Sequence, residues 1–360
     1  MKLLIITQKI DINDDVLGFM HGWVKEFAKQ CEQVIVICLY KGEYDLPSNV
    51  KVLSLGKERI TNPQIYHKFT NRFKYFINFY KYIWQERKNY DKVFVHMNPE
   101  YVVLGGIFWR ILGKKIGLWY AHGSVSKSLR LAEMFSDIVF TSTESGFRLK
   151  SKKKKVVGQG IDVKRFEFKR DFFYQGKLKI IYIGRISPVK NLETLIEAAE
   201  ILKRKNFDFE VKIVGGVGLK EQESYLEKLK ISVKEKGLSD RVEFVGSIPN
   251  KDIHKHYQEA DIFVNTSQTG SLDKTMLEAL ASGLPVITCN ESALEIFGDK
   301  KSELFFLERN PEELVEKINN FVVKNSWEKI KTADELKNNV KNNYGIKKLI
   351  YKIKNLYEHS

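Results

Sequence analysis

One pattern constrains this chain more than any other: apolar strands alternate with amphipathic helices, and the alternation runs twice. The runs "LLIIT" (3–7), "QVIVICL" (33–39), "VKVLSL" (50–55), "KVFVHM" (92–97), "KIGLWYAHG" (115–123) and "DIVFTST" (137–143) are interleaved with helical periods near 18–30, 66–89 and 100–112. Such a rhythm implies a parallel sheet covered by helices on both faces. The stretch "KKKKVVGQGIDVKRF" (152–166) has no helical period, and its Gly158 and Gly160 suit a turn or linker. The rhythm then restarts with "LKIIYIG" (178–184), "FEVKIVGG" (209–216), "VEFVG" (242–246), "DIFVNTS" (261–267) and "PVITC" (285–289), separated by helices near 191–205, 220–237 and 273–282.

The expected fold class is therefore α/β, with two Rossmann-like, doubly wound domains over 1–160 and 165–342 and a hinge near 155–170. A chain of 360 residues is long enough for two cores. The basic amphipathic stretch "IKKLIYKIKNLYEH" (346–359) predicts a helix within 343–360, and its expected place, as in two-domain folds of this kind, is back on the first domain. Doubly wound sheets bind ligands beyond the carboxyl ends of their strands. Chemistry is therefore expected in the residues just after strands, in a deep cleft between the two domains.

Composition narrows the function classes. The net charge of +15 favours a polyanionic partner: nucleic acid, an anionic membrane or a phosphorylated substrate. Cys31, Cys38 and Cys289 form no CxxC pair, which argues against a disulfide framework or zinc site and fits a reducing cytoplasm. They read as small buried hydrophobes. The first apolar run, Leu3–Ile6, is too short for a signal peptide, and no run approaches the roughly 20 apolar residues of a membrane span. The expected location is the cytoplasm, free or peripheral on the inner face of the membrane.

In "IIYIGRISPVKN" (180–191), Gly184 ends a strand and Arg185 follows at once. Lys190 sits before a helix for which Asn191 is the expected N-cap. Two cations beside a helix N-terminus suit a diphosphate, and a solvated loop pair is the plain alternative. Losing two charge-assisted hydrogen bonds would cost roughly 3–6 kcal/mol.

The segments "GRISPVKNLETLIEAAEIL" (184–202), "VKIVGGVG" (211–218), "VEFVGSIPNKDIHKHYQEADIFVNTS" (242–267) and "MLEALASGLPVIT" (276–288) resemble the family-4, or group 1, retaining glycosyltransferases of the GT-B fold. "DIVFTSTESGF" (137–147) and "GQGIDVKRF" (158–166) extend the likeness. The resemblance implies transfer of a sugar from a nucleotide diphosphate, UDP- or GDP-linked, to a glycan or lipid-linked acceptor in polysaccharide or glycolipid biosynthesis, with no metal required and no nucleic-acid partner. It implies that Arg185 and Lys190 grip the donor diphosphate. Gly184 and Gly215 belong to the same donor loops, Ser247 and Ile248 offer backbone groups to the base, and Glu278 holds the ribose. The carboxylate expected eight residues before Glu278 is Gly270. Gly270, Ser271 and Leu272 then offer backbone N–H groups, and Asp273 or Thr269 could take the missing carboxylate's place. Asp273 could equally cap the next helix.

On the first domain the resemblance implies that His122, in "WYAHGS", faces the donor sugar; a structural histidine is the alternative. Gly18 and Glu144 are candidates for the phosphate and acceptor side, and helix capping competes for Glu144 and its neighbour Ser145. The acidic "DINDD" (11–15) reads as a polar loop, with no metal site.

The helix in "YHKFTNRFKYFINFYKYIWQERKNYDK" (66–92) carries two aromatic faces. Phe69, Phe73, Phe76, Ile77, Tyr80 and Trp84 form a stripe expected to face the core. Tyr75, Phe79 and Tyr82, with Lys68 and Arg72, then lie on the opposite side, as an anionic membrane surface would require; a helix buried on both faces or a protein interface is the alternative. Two other functions stay open: a catalytically weak sugar- or membrane-binding module, and a dinucleotide oxidoreductase, although "GGVGLKE" (215–221) lacks the third glycine of that motif.

Overall fold

The apolar runs become strands because parallel strands are buried on both faces and accept no polar alternation. The computed structural model describes residues 1–59, 68–168, 176–218, 220–267 and 271–359. Two units divide the chain: Met1–Gly160 with Pro249–Lys251 and Ile346–Ser360, and Ile161–Ile248 with Asp252–Gly345.

The first unit holds β1 (Lys2–Ile10), α1 (Phe19–Gln30), β2 (Gln33–Lys41), β3 (Val50–Ser54), α2 (Lys68–Gln85), β4 (Lys92–His96), α3 (Pro99–Ile111), β5 (Lys115–Trp119), α4 (Lys127–Phe135), β6 (Ile138–Thr141) and β7 (Lys154–Val156). All pair in parallel in the order β3-β2-β1-β4-β5-β6-β7. Alternate residues of β1 serve opposite faces. Leu3 and Ile5 pack with Trp23 and Phe27 of α1, and Leu4 and Ile6 pack with Phe79, Ile83 and Trp109 of α2 and α3. The lysine run expected as linker contributes β7, an edge strand on β6.

The aromatic helix is turned opposite to expectation. Phe79 is buried, and Tyr75 and Tyr82 pack against the same core, whereas Phe73, Phe76, Ile77 and Trp84 are exposed. With aromatics on both faces, periodicity alone does not choose. Packing does: Phe79 lies 5.5 Å from the Tyr101 ring and 6.0 Å from Trp109, contacts the other stripe does not make. Tyr80 is half-buried, its hydroxyl donating to the Leu104 carbonyl at 2.8 Å. Arg72 is exposed, as expected. Lys68 opens α2, and its side chain and that of Phe69 lie outside the described residues.

The second unit holds β8 (Leu178–Ile183), α5 (Leu192–Arg204), β9 (Phe209–Val214), α6 (Glu223–Glu235), β10 (Val242–Gly246), α7 (Ile253–Glu259), β11 (Ile262–Asn265), α8 (Lys274–Ala281) and β12 (Val286–Thr288). The single turns α9 (Leu294–Phe297) and α10 (Lys301–Leu304) and the helices α11 (Pro311–Val323) and α12 (Ser326–Asn343) follow. Its five parallel strands run β10-β9-β8-β11-β12. The last helix, α13 (Ile346–His359), belongs to the first unit, where Leu349, Ile353 and Tyr357 pack in the α1 core. The three cysteines are buried thiols, and burial pushes Cys31 up to about 11 and Cys38 and Cys289 up to about 12.

Candidate active site

In the second unit, β8 sits between β9 on one side and β11 on the other. That reversal of strand order is where an open parallel sheet leaves a ligand crevice. The loops after β8, β9 and β10 are stitched in steps: Gly184 N–H donates to the Val214 carbonyl (3.0 Å), Gly215 N–H to Gly246 (2.8 Å) and Ile186 N–H to Gly216 (2.9 Å). Gly215 adopts φ +136°, and a Cβ there would collide with the Gly184 carbonyl oxygen. Gly184 is needed small for another reason: the Tyr182 hydroxyl folds beneath it, 2.7 Å from where a Cβ would stand, and donates to the Arg185 carbonyl.

Arg185 is exposed on this frame, its side chain lying against Gly218. Lys190 is buried at 8% exposure, in a 3-10 turn (Pro188–Lys190). Its Nζ lies 2.8 Å from Oδ2 and 3.0 Å from Oδ1 of Asp273, across from it after β11. The same carboxylate accepts from Asn265 Nδ2 (3.0 Å) and Ser267 Oγ (2.9 Å). Burial alone would raise the Asp273 carboxyl, but Lys190, Asn265 and Ser267 hold it below the ordinary carboxylate value. Thr266 Oγ1 donates to the Lys190 carbonyl at 2.7 Å, clamping the loop. The cation therefore carries its own counter-ion, and an anion arriving here shares Lys190 with Asp273.

Two capping expectations are corrected. Asn191 precedes α5 in a left-handed conformation, and its side chain meets Thr194 Oγ1 instead of the helix backbone. Asp273 precedes α8, and its carboxylate is committed to Lys190 instead of the α8 backbone.

Glu278, inside α8, is buried, and the Tyr257 hydroxyl lies 3.0 Å from its Oε2. Burial raises the Glu278 carboxyl, opposed by the charge of Arg165. Arg165 comes from a 3-10 turn, Val163–Phe166, whose Phe166 packs edge-on against Tyr257 at 5.7 Å. Tyr257, Arg165, Asn265 and Ser267 were missed as site residues. The conspicuous "NTS" after an apolar run was the one readable signal, since polar side chains at a buried strand end need partners. Leu272 is buried, and Ser271 accepts from Asn290 through its carbonyl at 3.2 Å. Ser247 is exposed with its Oγ over Gly216, and Ile248 is half-buried beside it. Thr269 and Gly270 lie outside the described residues.

In the first unit, His122 follows β5 and is exposed. Ser124 N–H donates to its Nδ1 at 3.1 Å, which places the ring proton on Nε2 and leaves that edge a donor. Glu144 is a surface carboxylate paired with Lys154 at 2.5 Å, and no helix starts there for it or Ser145 to cap. Gly18 precedes α1, and a Cβ there would meet the Asp14 carbonyl oxygen. Asp14 pairs with Lys9, and among the described residues no cluster of three His, Cys, Asp or Glu side chains is placed to hold a metal ion.

Residues 163–343 match the family described as glycosyl transferases, group 1. A curated relative, the amylovoran biosynthesis glycosyltransferase AmsK of Erwinia amylovora, is 34% identical over 146 residues, 39% of this chain and 34% of that protein. The chain thus spans about a third of that relative's length. Among solved structures, HepE of Anabaena, in complex with UDP and glucose, superposes with a TM-score of 0.78 at 17% identity over the whole of both chains. Sucrose-phosphate synthase of Thermosynechococcus elongatus gives 0.80 at 15%, covering 99% of this chain and 98% of that one. At such identities the structural likeness speaks for the fold, two Rossmann-like units of the GT-B kind.

Proposed function

The chain belongs to the group 1 glycosyltransferases, and from that premise we propose that it is a family-4 enzyme that moves a sugar, with retention, from a nucleotide diphosphate to a glycan or lipid-linked acceptor. Polysaccharide or glycolipid assembly is the setting that its relative in amylovoran biosynthesis supports. The observation that carries the reading is Lys190: a buried lysine at the carboxyl end of the central strand β8, with exposed Arg185 five residues before it.

The donor's diphosphate takes Arg185 and Lys190, with Lys190 held in place by Asp273. When the bond between the anomeric carbon and the phosphate oxygen breaks, the electron pair leaves with the nucleotide. Preorganised cations stabilise that charge more in the transition state than in the ground state. The acceptor oxygen bonds to the anomeric carbon on the face the nucleotide leaves, and its proton passes to the departing phosphate oxygen. Glu278 accepts ribose hydroxyls. In this reading the two cations do the work of a metal ion, and transfer persists in chelator.

Calorimetry with UDP, GDP and ADP on the wild type and on Arg185→Ala tests it. Micromolar binding of one nucleotide, weakened at least about tenfold by a substitution that removes one charge-assisted contact, is expected. If no nucleotide binds the folded wild type, the donor site is wrong. If a nucleotide sugar binds but is neither transferred nor hydrolysed, the chain is a binding module.

A further inference from the structure

The helix α2 packs on the core through Tyr75, Phe79 and Tyr82 and leaves its other face uncovered. Phe73 (64% exposed), Ile77 and Trp84 (55%) lie on one outward stripe, with Phe76 beside them. The Trp84 ring meets Phe108 at 5.9 Å, which brings α3 alongside, and α3 adds exposed Ile107 and Ile111 (79%). Exposed apolar groups of this size on adjacent helices are more than scattered surface residues.

The charges are arranged with equal regularity. Lys74 and Lys81 stand seven residues apart on α2, along the flank of the stripe, and Lys88 follows in the turn just after the helix. All three are exposed, and none has an ion-pair partner among the described residues. No acidic residue occurs anywhere in α2. The Arg87 guanidinium stacks over Trp84 at 4.1 Å, so a cation and an indole occupy one spot. Phe76 also lines a cavity of about 630 Å3, walled by Leu39, Leu55, Tyr75, Phe79 and Leu104. The cavity wall also carries Lys57, Arg72, Asn98 and Glu100, so the stripe borders a space of mixed character.

We propose that the outward face of α2, with the adjoining edge of α3, seats this chain on an anionic phospholipid bilayer. Phe73, Ile77, Trp84 and Ile111 enter the boundary between headgroups and acyl chains, and the three lysines meet the lipid phosphates. A protein partner would need acidic side chains matched to Lys74 and Lys81 on the helix and to Lys88 in the turn after it. A sheet of lipid phosphates supplies that charge at any register, and rings beside cations are what an interfacial helix presents. No described helix is long and apolar enough to cross the membrane, so the contact is peripheral. The proposal is independent of the donor site.

The test is sedimentation of the full chain with vesicles of phosphatidylglycerol and phosphatidylcholine, against phosphatidylcholine alone, at low and high salt. The wild type is expected to pellet with the anionic vesicles at low salt and far less at high salt. Lys74→Glu/Lys81→Glu/Lys88→Glu should weaken that binding by at least about two orders of magnitude, at about a factor of five per lysine lost, with the added carboxylates deepening the loss. Phe73→Ala/Ile77→Ala/Trp84→Ala should abolish the part that survives salt. All six positions are exposed, so unchanged melting curves show that the variants fold. Trp327→Ala/Lys331→Glu, an exposed aromatic–cation pair on α12, is the control for the chain's general basicity and should pellet as the wild type does. A wild type that stays in the supernatant at low salt overturns the proposal. So does an α2 series that binds as well as the control. Self-association lost in the aromatic variant while vesicle binding persists assigns the face to a protein contact, and overturns it too.

Discussion

Lys190 and Asp273, 83 residues apart in the chain, meet as a buried ion pair with Nζ 2.8 Å from Oδ2. Their side chains are 10% and 17% exposed, so water screens the pair little. Breaking a buried pair from one side leaves a charge that nothing solvates, and this costs about 3–5 kcal/mol. Removing both together with apolar residues of similar volume costs far less. Lys190→Met and Asp273→Leu should each lower stability by that amount, while Lys190→Met/Asp273→Leu recovers most of it. Urea titrations of the four proteins give the coupling directly. Nucleotide binding should stay lost in the recovered double variant, since packing returns and the cation does not. Single variants that add without coupling would show that the pair is not formed in solution.

The same pair sets an acid limb. The Asp273 carboxyl is held below its ordinary value of 3.8. A depressed group contributes stability that is present above the ordinary value and lost as pH falls through the lowered one. Asp273→Asn should therefore be less stable than the wild type at neutral pH, and the gap should begin to narrow below about pH 4 and close only once the pH has fallen through the lowered value. Thermal melts across that range are the check. A gap that stays constant down to the acid end would mean that the carboxylate's charge is not what matters.

The pair also shows what the sequence carries and what it withholds. The alternation of apolar runs and helices gave both sheets, because buried parallel strands have no other way to look. Arg185 and Lys190 stood out because two cations at a strand end need an explanation. Asp273 reads as a stand-in for the carboxylate absent at Gly270 or as a helix cap, and its partner cannot be read, because the contact closes between the ends of two strands. Arg165 escapes because it acts on Glu278 of α8 from a 3-10 turn far earlier in the chain. The facing of α2 was misread because both of its sides are aromatic. Phe79 goes inward on account of Tyr101 and Trp109, on another helix, and periodicity holds no information about them.

Two glycines at strand ends should behave differently although both have positive φ. Gly246 (φ +87°) faces open space, so Gly246→Ala costs only the strain of that backbone region, about 1–2 kcal/mol. Gly215 (φ +136°) backs onto the Gly184 carbonyl, which Gly184 N–H and Ile186 N–H tie into the loop that carries Arg185. Gly215→Ala must move that loop, so it should cost more stability than Gly246→Ala and take nucleotide binding with it. Parallel melts and calorimetry on the two variants decide the matter. Equal losses would mean that the loop yields freely.

Glu278 offers the sharpest separation of stability from function. Burial raises its carboxyl above the ordinary value of 4.5, against the pull of Arg165. A raised folded value contributes stability that is present below the ordinary value and lost as pH rises through the raised one. At neutral pH Glu278 is thus a cost to the folded state, kept for another purpose. Glu278→Gln keeps the shape and an oxygen for the Tyr257 hydroxyl, and carries no charge to bury. It should be more stable than the wild type at pH 7, and the advantage should vanish below about pH 4.5, where both side chains are neutral. If the carboxylate receives ribose hydroxyls, the same variant should bind nucleotide at least about tenfold more weakly, the loss expected when a charged acceptor becomes neutral. A gain in stability with a loss in binding is the signature of a residue strained for its ligand. Unchanged binding in the stabilised variant would remove Glu278 from the donor site and leave it a buried partner of Tyr257 alone.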